Sequence, residues 1–104
     1  MRALPSIILL LLLAGCGALQ TQSTTDSIAM GYVTVETLAE TALVAYQEGK
    51  IDDATRHVII KNLQLAKDTL DVATEYATSE NEDAAIDSLN AAYALLDIVR
   101  GFIQ

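Results

Sequence analysis

The chain has 104 residues, 52% of them hydrophobic, and its 14 acidic residues against 6 basic ones give a net charge of −8. So anionic a surface repels phosphates and acidic headgroups, which argues against nucleic-acid binding and against broad contact with anionic membranes. One cysteine rules out an intrachain disulfide, so packing alone must hold a domain of a size that buries only about 60% of its unfolded surface.

The first element is an export signal. Met1 and Arg2 make a positive start, residues 7–13 are an unbroken apolar run, and Ala14 and Gly15 are the small residues that follow. A spanning helix would need about 20 apolar residues, and this run ends well short of that; a plain secretory signal and an uncleaved anchor are the alternatives. Leu13-Ala14-Gly15-Cys16 resembles the lipobox of bacterial lipoproteins, a branched apolar residue and two small residues before a cysteine, and all four positions match. The resemblance covers only the signal and lipobox. It implies cleavage between Gly15 and Cys16, a diacylglycerol on the Cys16 thiol, and acylation, typically by palmitate, of the new amino terminus. Two or more chains anchor stably at roughly 0.8 kcal/mol per buried methylene, where a single myristoyl chain binds only marginally. Gly17 stands where an Asp would act as an inner-membrane retention signal, so the implied address is the outer membrane, facing the periplasm. In a host with one membrane it is the outer leaflet of the cytoplasmic membrane. Loss of Arg2 with the signal takes the net charge from −8 to −9.

Residues 16–26 carry the lipidated Cys16 and a polar tether rich in Gly, Gln, Ser and Thr, a composition that favours a flexible spacer over burial; an ordered arm packed on the domain is the alternative. A first helix is expected over 27–48, with Ile28, Tyr32, Val35, Ala39, Ala42 and Tyr46 on one face and Leu38 and Ala45 widening it. Gly49 and Lys50 read as its stop, and Gly31 costs about 1 kcal/mol relative to Ala. A second helix is expected over 53–78 with Asp52 as N-cap and the stripe Ile59, Leu63, Ala66, Leu70, Ala73 and Ala77. A third is expected over 80–103, opened by a capping box from Ser79 to Glu82. Its stripe is Ala85, Leu89, Ala92, Leu96, Val99 and Ile103, and a second seam, Ala91, Leu95, Ile98 and Phe102, lies about 100° away. Three helices joined by short connections pack as antiparallel neighbours. The expected fold is therefore all-α: an antiparallel three-helix bundle over 27–104, preceded by a cleaved lipoprotein signal peptide and a flexible tether. Alternating steps of four and three favour shallow crossings.

Few residues suggest chemistry. Asp68, Asp71 and Glu75 share a helix face and could offer oxygens to a hard cation, but nothing resembles a calcium loop and the spacing favours a solvated face. Glu80, Glu82 and Asp83 sit where a helix N-terminus favours negative charge. His57 has no Ser, Cys or Thr marked as its partner, so it reads as a surface histidine rather than a general base. Tyr32, Tyr46, Tyr76 and Tyr93 read as core-edge residues with one wet end, the alternative being a ligand-stacking set. The feature that points outward is Leu95, Ile98 and Phe102, a candidate partner patch if it is left over once the core is packed. The chain is accordingly expected to be non-enzymatic and without cofactor. It would be held to the bilayer through Cys16 and would contact an envelope protein or a second copy of itself. Its layout resembles the small helical lipoproteins of phages and prophages, some of which act in lysis or superinfection exclusion. A pilotin-like secretin chaperone is an alternative, which the missing paired cysteine counts against, and a periplasm-facing carrier of a small ligand or divalent metal is another.

Overall fold

A computed structural model describes residues 23–103. The expected signal peptide, Gly15, Cys16 and the first residues of the expected tether lie outside the described residues. Three α-helices follow in order: α1, Ser23–Gln47; α2, Asp53–Thr78; and α3, Glu82–Ile103. Each packs on both of the others, making an all-α, antiparallel three-helix bundle.

The two connections are short because both helix ends close on themselves. At the end of α1, Gly49 adopts φ 74°, and the N–H groups of Gly49 and Lys50 donate to the carbonyls of Tyr46 at 3.0 Å and Ala45 at 2.8 Å. This paired closure satisfies carbonyls that the helix leaves without partners. Asp52 then caps α2, its carboxylate accepting from the Thr55 N–H at 2.8 Å. The Thr55 side chain first, and this backbone bond second, favour the charged form and hold the Asp52 carboxyl below its ordinary value.

The end of α2 repeats the closure with different residues. Glu80 takes the left-handed conformation, φ 62°, and Glu80 and Asn81 donate to the carbonyls of Ala77 and Tyr76 at 3.2 and 2.8 Å. Ser79 belongs to this stop, its hydroxyl donating to the Glu75 carbonyl at 2.6 Å. The expected capping box from Ser79 is therefore corrected: α3 begins at Glu82, and Asn81 stands before it, its carbonyl accepting from Ala85 N–H at 3.0 Å. A serine three residues before a glutamate resembles a helix start, but here the last turn of the preceding helix takes up its hydroxyl.

The core forms along the expected stripes of α2 and α3. Ile59, Leu63, Ala66, Leu70 and Ala73 are buried from α2, and Ala85, Leu89, Ala92, Leu96 and Val99 from α3. Ala77 and Ile103 are half-buried at the ends. Ile59, Leu70, Leu96 and Val99 are the largest fully enclosed side chains, each worth about 1.5–3 kcal/mol of transfer free energy.

On α1 the buried stripe differs from the expected one. It runs through Thr24, Ile28, Gly31, Leu38, Ala42 and Ala45, whereas Ala39 is exposed and Tyr32, Val35 and Tyr46 are half-buried. The physical reason is that the tyrosines turn their hydroxyls outward to acceptors on α2, which rotates the closest approach onto smaller residues. A Cβ placed on Gly31 would lie 2.7 Å from Leu70 Cδ2, so this glycine lets α1 approach α2 closely. The helix also starts earlier than expected, at Ser23. Thr24 is buried, and its hydroxyl donates to the Glu82 carboxylate. Residues 23–26, expected in the tether, belong to this helix.

Candidate functional site

The polar side chains of the bundle are largely engaged in holding it. Hydroxyls of Thr34, Thr37, Thr41, Thr69, Thr74 and Thr78 each donate to the carbonyl four residues earlier, a local bond that hides a polar group on a helix. Three of the four tyrosines tie elements together as core-edge residues. Tyr32 donates to Asp71, Tyr46 donates to Asp53 at 2.5 Å, and Tyr93 donates to the Ser27 carbonyl at 2.7 Å. Burial raises the Tyr32 and Tyr93 phenols above the ordinary value, and the bond to Asp53 raises Tyr46.

The carboxylates Asp68, Asp71 and Glu75 are not brought together as a ligand set. Among the described residues no group of three or more His, Cys, Asp or Glu side chains could hold a metal ion. Asp71 is instead taken up by the Tyr32 hydroxyl and by Lys67 at 3.7 Å. His57 is exposed on the outer side of α2.

The helix-three seam is divided by packing. Leu95 is half-buried and leans on the core cluster of Leu63, Leu96 and Val99. Ile98 and Phe102 remain 50% and 43% exposed. Phe102 shares a shallow cleft with Ile51, Asp52 and Thr55, which places it beside the N-terminal end of α2. The α1-facing flank of α3 is the other one: Tyr93 reaches Ser27 there, and Arg100 and Ile103 meet Leu38 and Thr41.

Sequence reasoning missed a second line of exposed apolar residues on α2. Val58, Leu65, Val72 and Tyr76 are 38–51% exposed. They lie on the flank turned away from α1, because Arg56, Ile60 and Lys67 on the opposite flank line the groove between α1 and α2. The available signal was the recurrence of Val58, Leu65 and Val72 at intervals of seven. Together with Ile98 and Phe102 they form one apolar face across α2 and α3.

Two other surfaces are less coherent. The α1–α2 groove has an apolar floor of Val35, Ala39, Ile60 and Leu63 with Arg56 and Lys67 along its rim. Lys67 pairs with Asp71, and Arg56 stacks over the Tyr46 ring at 4.8 Å. The outer face of α1 exposes Met30, Val33 and Val44. Thr24–Gln47 is long and apolar enough to cross a membrane, yet it carries Glu36 and Glu40 near its middle and lays one face on α2 and α3.

No protein-family model, curated protein or solved structure matches the chain.

Proposed function

We propose that the chain is a small lipid-anchored lipoprotein of the bacterial envelope whose folded bundle works as a non-enzymatic interaction module. In this reading Cys16 carries the acyl chains and the bundle faces the periplasm from the outer membrane. The observation that carries it is the exposed apolar face of α2 and α3 on a bundle that already has a closed core. Leu65, Ile98 and Phe102 stand on one face with Val58, Val72 and Tyr76, and such contiguity suits a docking surface. The lipobox supplies the address, and the layout fits a phage or prophage lysis accessory or superinfection-exclusion lipoprotein.

The test is the mass of the complex that the chain forms in its own envelope. Solubilised in mild detergent, the parent chain is expected to migrate in a species larger than one chain in a micelle. Ile98→Asp with Phe102→Asp should reduce it to a single chain with the helical circular dichroism unchanged. Migration of the parent as a single chain would overturn the proposal.

A further inference from the structure

The charges of α2 are sorted along its length. Arg56 and Lys61 occupy the first half with no carboxylate between Asp53 and Lys67, and Asp68, Asp71 and Glu75 follow with no cation after Lys67. Arg56 and Lys67 line the α1–α2 groove and Asp71 is bonded to Tyr32, so the opposite charges beside the apolar line are Lys61 and Asp68. Reversing the helix end for end brings Lys61 of one copy over Asp68 of the other. Neither of the other helices has this property. α1 carries Asp26, Glu36 and Glu40 and no cation, and α3 carries four carboxylates against Arg100 alone. Two copies meeting by α1 or α3 alone would bring carboxylates together, whereas antiparallel α2 helices at the centre of the contact bring Lys61 to Asp68.

We propose that the apolar face of α2 and α3 docks a second copy of this chain, α2 packing antiparallel on its counterpart about a two-fold axis near Leu65. This rests on the interaction-module reading and names the partner. The apolar line is symmetric about that axis: Val58 meets Val72 of the second copy, and Leu65 meets its own equivalent. Lys61 approaches Asp68 of the second copy, and Phe102, beside the N-terminal end of α2, approaches Tyr76 at the other end. Such a contact is isologous and closes, so it makes a dimer and not a filament.

The area suits a dimer. Val58, Leu65, Val72, Tyr76, Ile98 and Phe102, each 38–51% exposed, leave on the order of 450 Å² of apolar surface, within the range of a functional patch. The alkyl stem of Lys61 and the intervening Asn62 and Thr69 extend the face toward the roughly 800 Å² that each partner contributes to a standard interface. The axis runs perpendicular to the helices. Both α1 N-termini then stand at one height above a bilayer lying parallel to the helices.

Disulfide trapping in membranes holding the full chain tests this. Leu65→Cys, oxidised, should give a band at twice the chain mass, while the parent chain and Val33→Cys, on the outer face of α1, stay single. Lys61→Glu should lower that yield at least about fivefold, and adding Asp68→Lys should restore it, since the exchange rebuilds the opposed halves. Equal trapping of Val33→Cys, or a yield that Lys61→Glu leaves unmoved, overturns the dimer. An adduct of Leu65→Cys with a chain of another mass overturns the dimer and leaves the interaction reading standing. No adduct from Leu65→Cys, Ile98→Cys or Phe102→Cys overturns both.

Discussion

Replacing Gly31 by alanine sets two effects of similar size against each other. In an open helix the change would stabilise by about 1 kcal/mol, because alanine has the better helix propensity. Here the new Cβ would sit 2.7 Å from Leu70 Cδ2 and 3.1 Å from Cδ1, and Leu70 is fully buried, so its side chain has little room to yield. Overpacking of this kind costs about 1–3 kcal/mol, leaving Gly31→Ala net destabilising by roughly 1 kcal/mol, a fall in Tm of about 4–8 °C for a domain of this size. The sign should reverse when the obstacle is removed. Leu70→Ala alone costs about 2–5 kcal/mol through its cavity. In that background Gly31→Ala regains its propensity advantage and fills part of the void, stabilising by about 1 kcal/mol. Urea denaturation of the four proteins, followed by circular dichroism at 222 nm, measures the cycle. A Gly31→Ala protein more stable than the parent would refute the close approach of α1 to α2 at this point.

The stop of α2 holds Glu80 in the left-handed conformation, which costs an ordinary L-residue about 1–2 kcal/mol; Glu80→Gly should therefore raise stability by about 1 kcal/mol, read as a higher urea midpoint with an unchanged m-value. Tyr32, Tyr46 and Tyr93 are all raised above the ordinary 10.0, so folding favours their protonated forms. The stability they contribute is present below pH 10 and is lost as pH rises through their folded values, and absorbance at 295 nm should show these phenols ionising later in the folded chain than in urea. Cys16→Ser should leave the melting curve unchanged while moving the chain out of the membrane fraction.

How much of this was legible in the sequence depended on the residues that mark each face. On α2 and α3 large aliphatics at four-three spacing left one solution, and the buried residues fall on it. On α1 the large aliphatics are spread round the helix, Met30, Val33 and Val44 outside as well as Ile28 and Leu38 inside, so two adjacent faces fit almost equally. The choice went to Gly31, because only a glycine admits Leu70, and a glycine carries no hydrophobic signal. The first turn was readable from Gly49, but at the second the left-handed residue is Glu80, which looks like a helix-starting acid. The α3 half of the apolar face could be read from Leu95, Ile98 and Phe102. The α2 half was hidden because Lys61, Asn62, Asp68 and Thr69 interrupt its line, and its seven-residue interval emerges only once the inner stripe has been assigned to the core.

The account depends most directly on what Cys16 carries in the mature chain. Mass spectrometry of the N-terminal peptide from the envelope-purified protein is predicted to find a peptide that begins at Cys16 and is heavier than its sequence by a diacylglycerol, with or without a further acyl chain. A peptide beginning at Met1, or one containing Cys16 with an unmodified thiol, would contradict it.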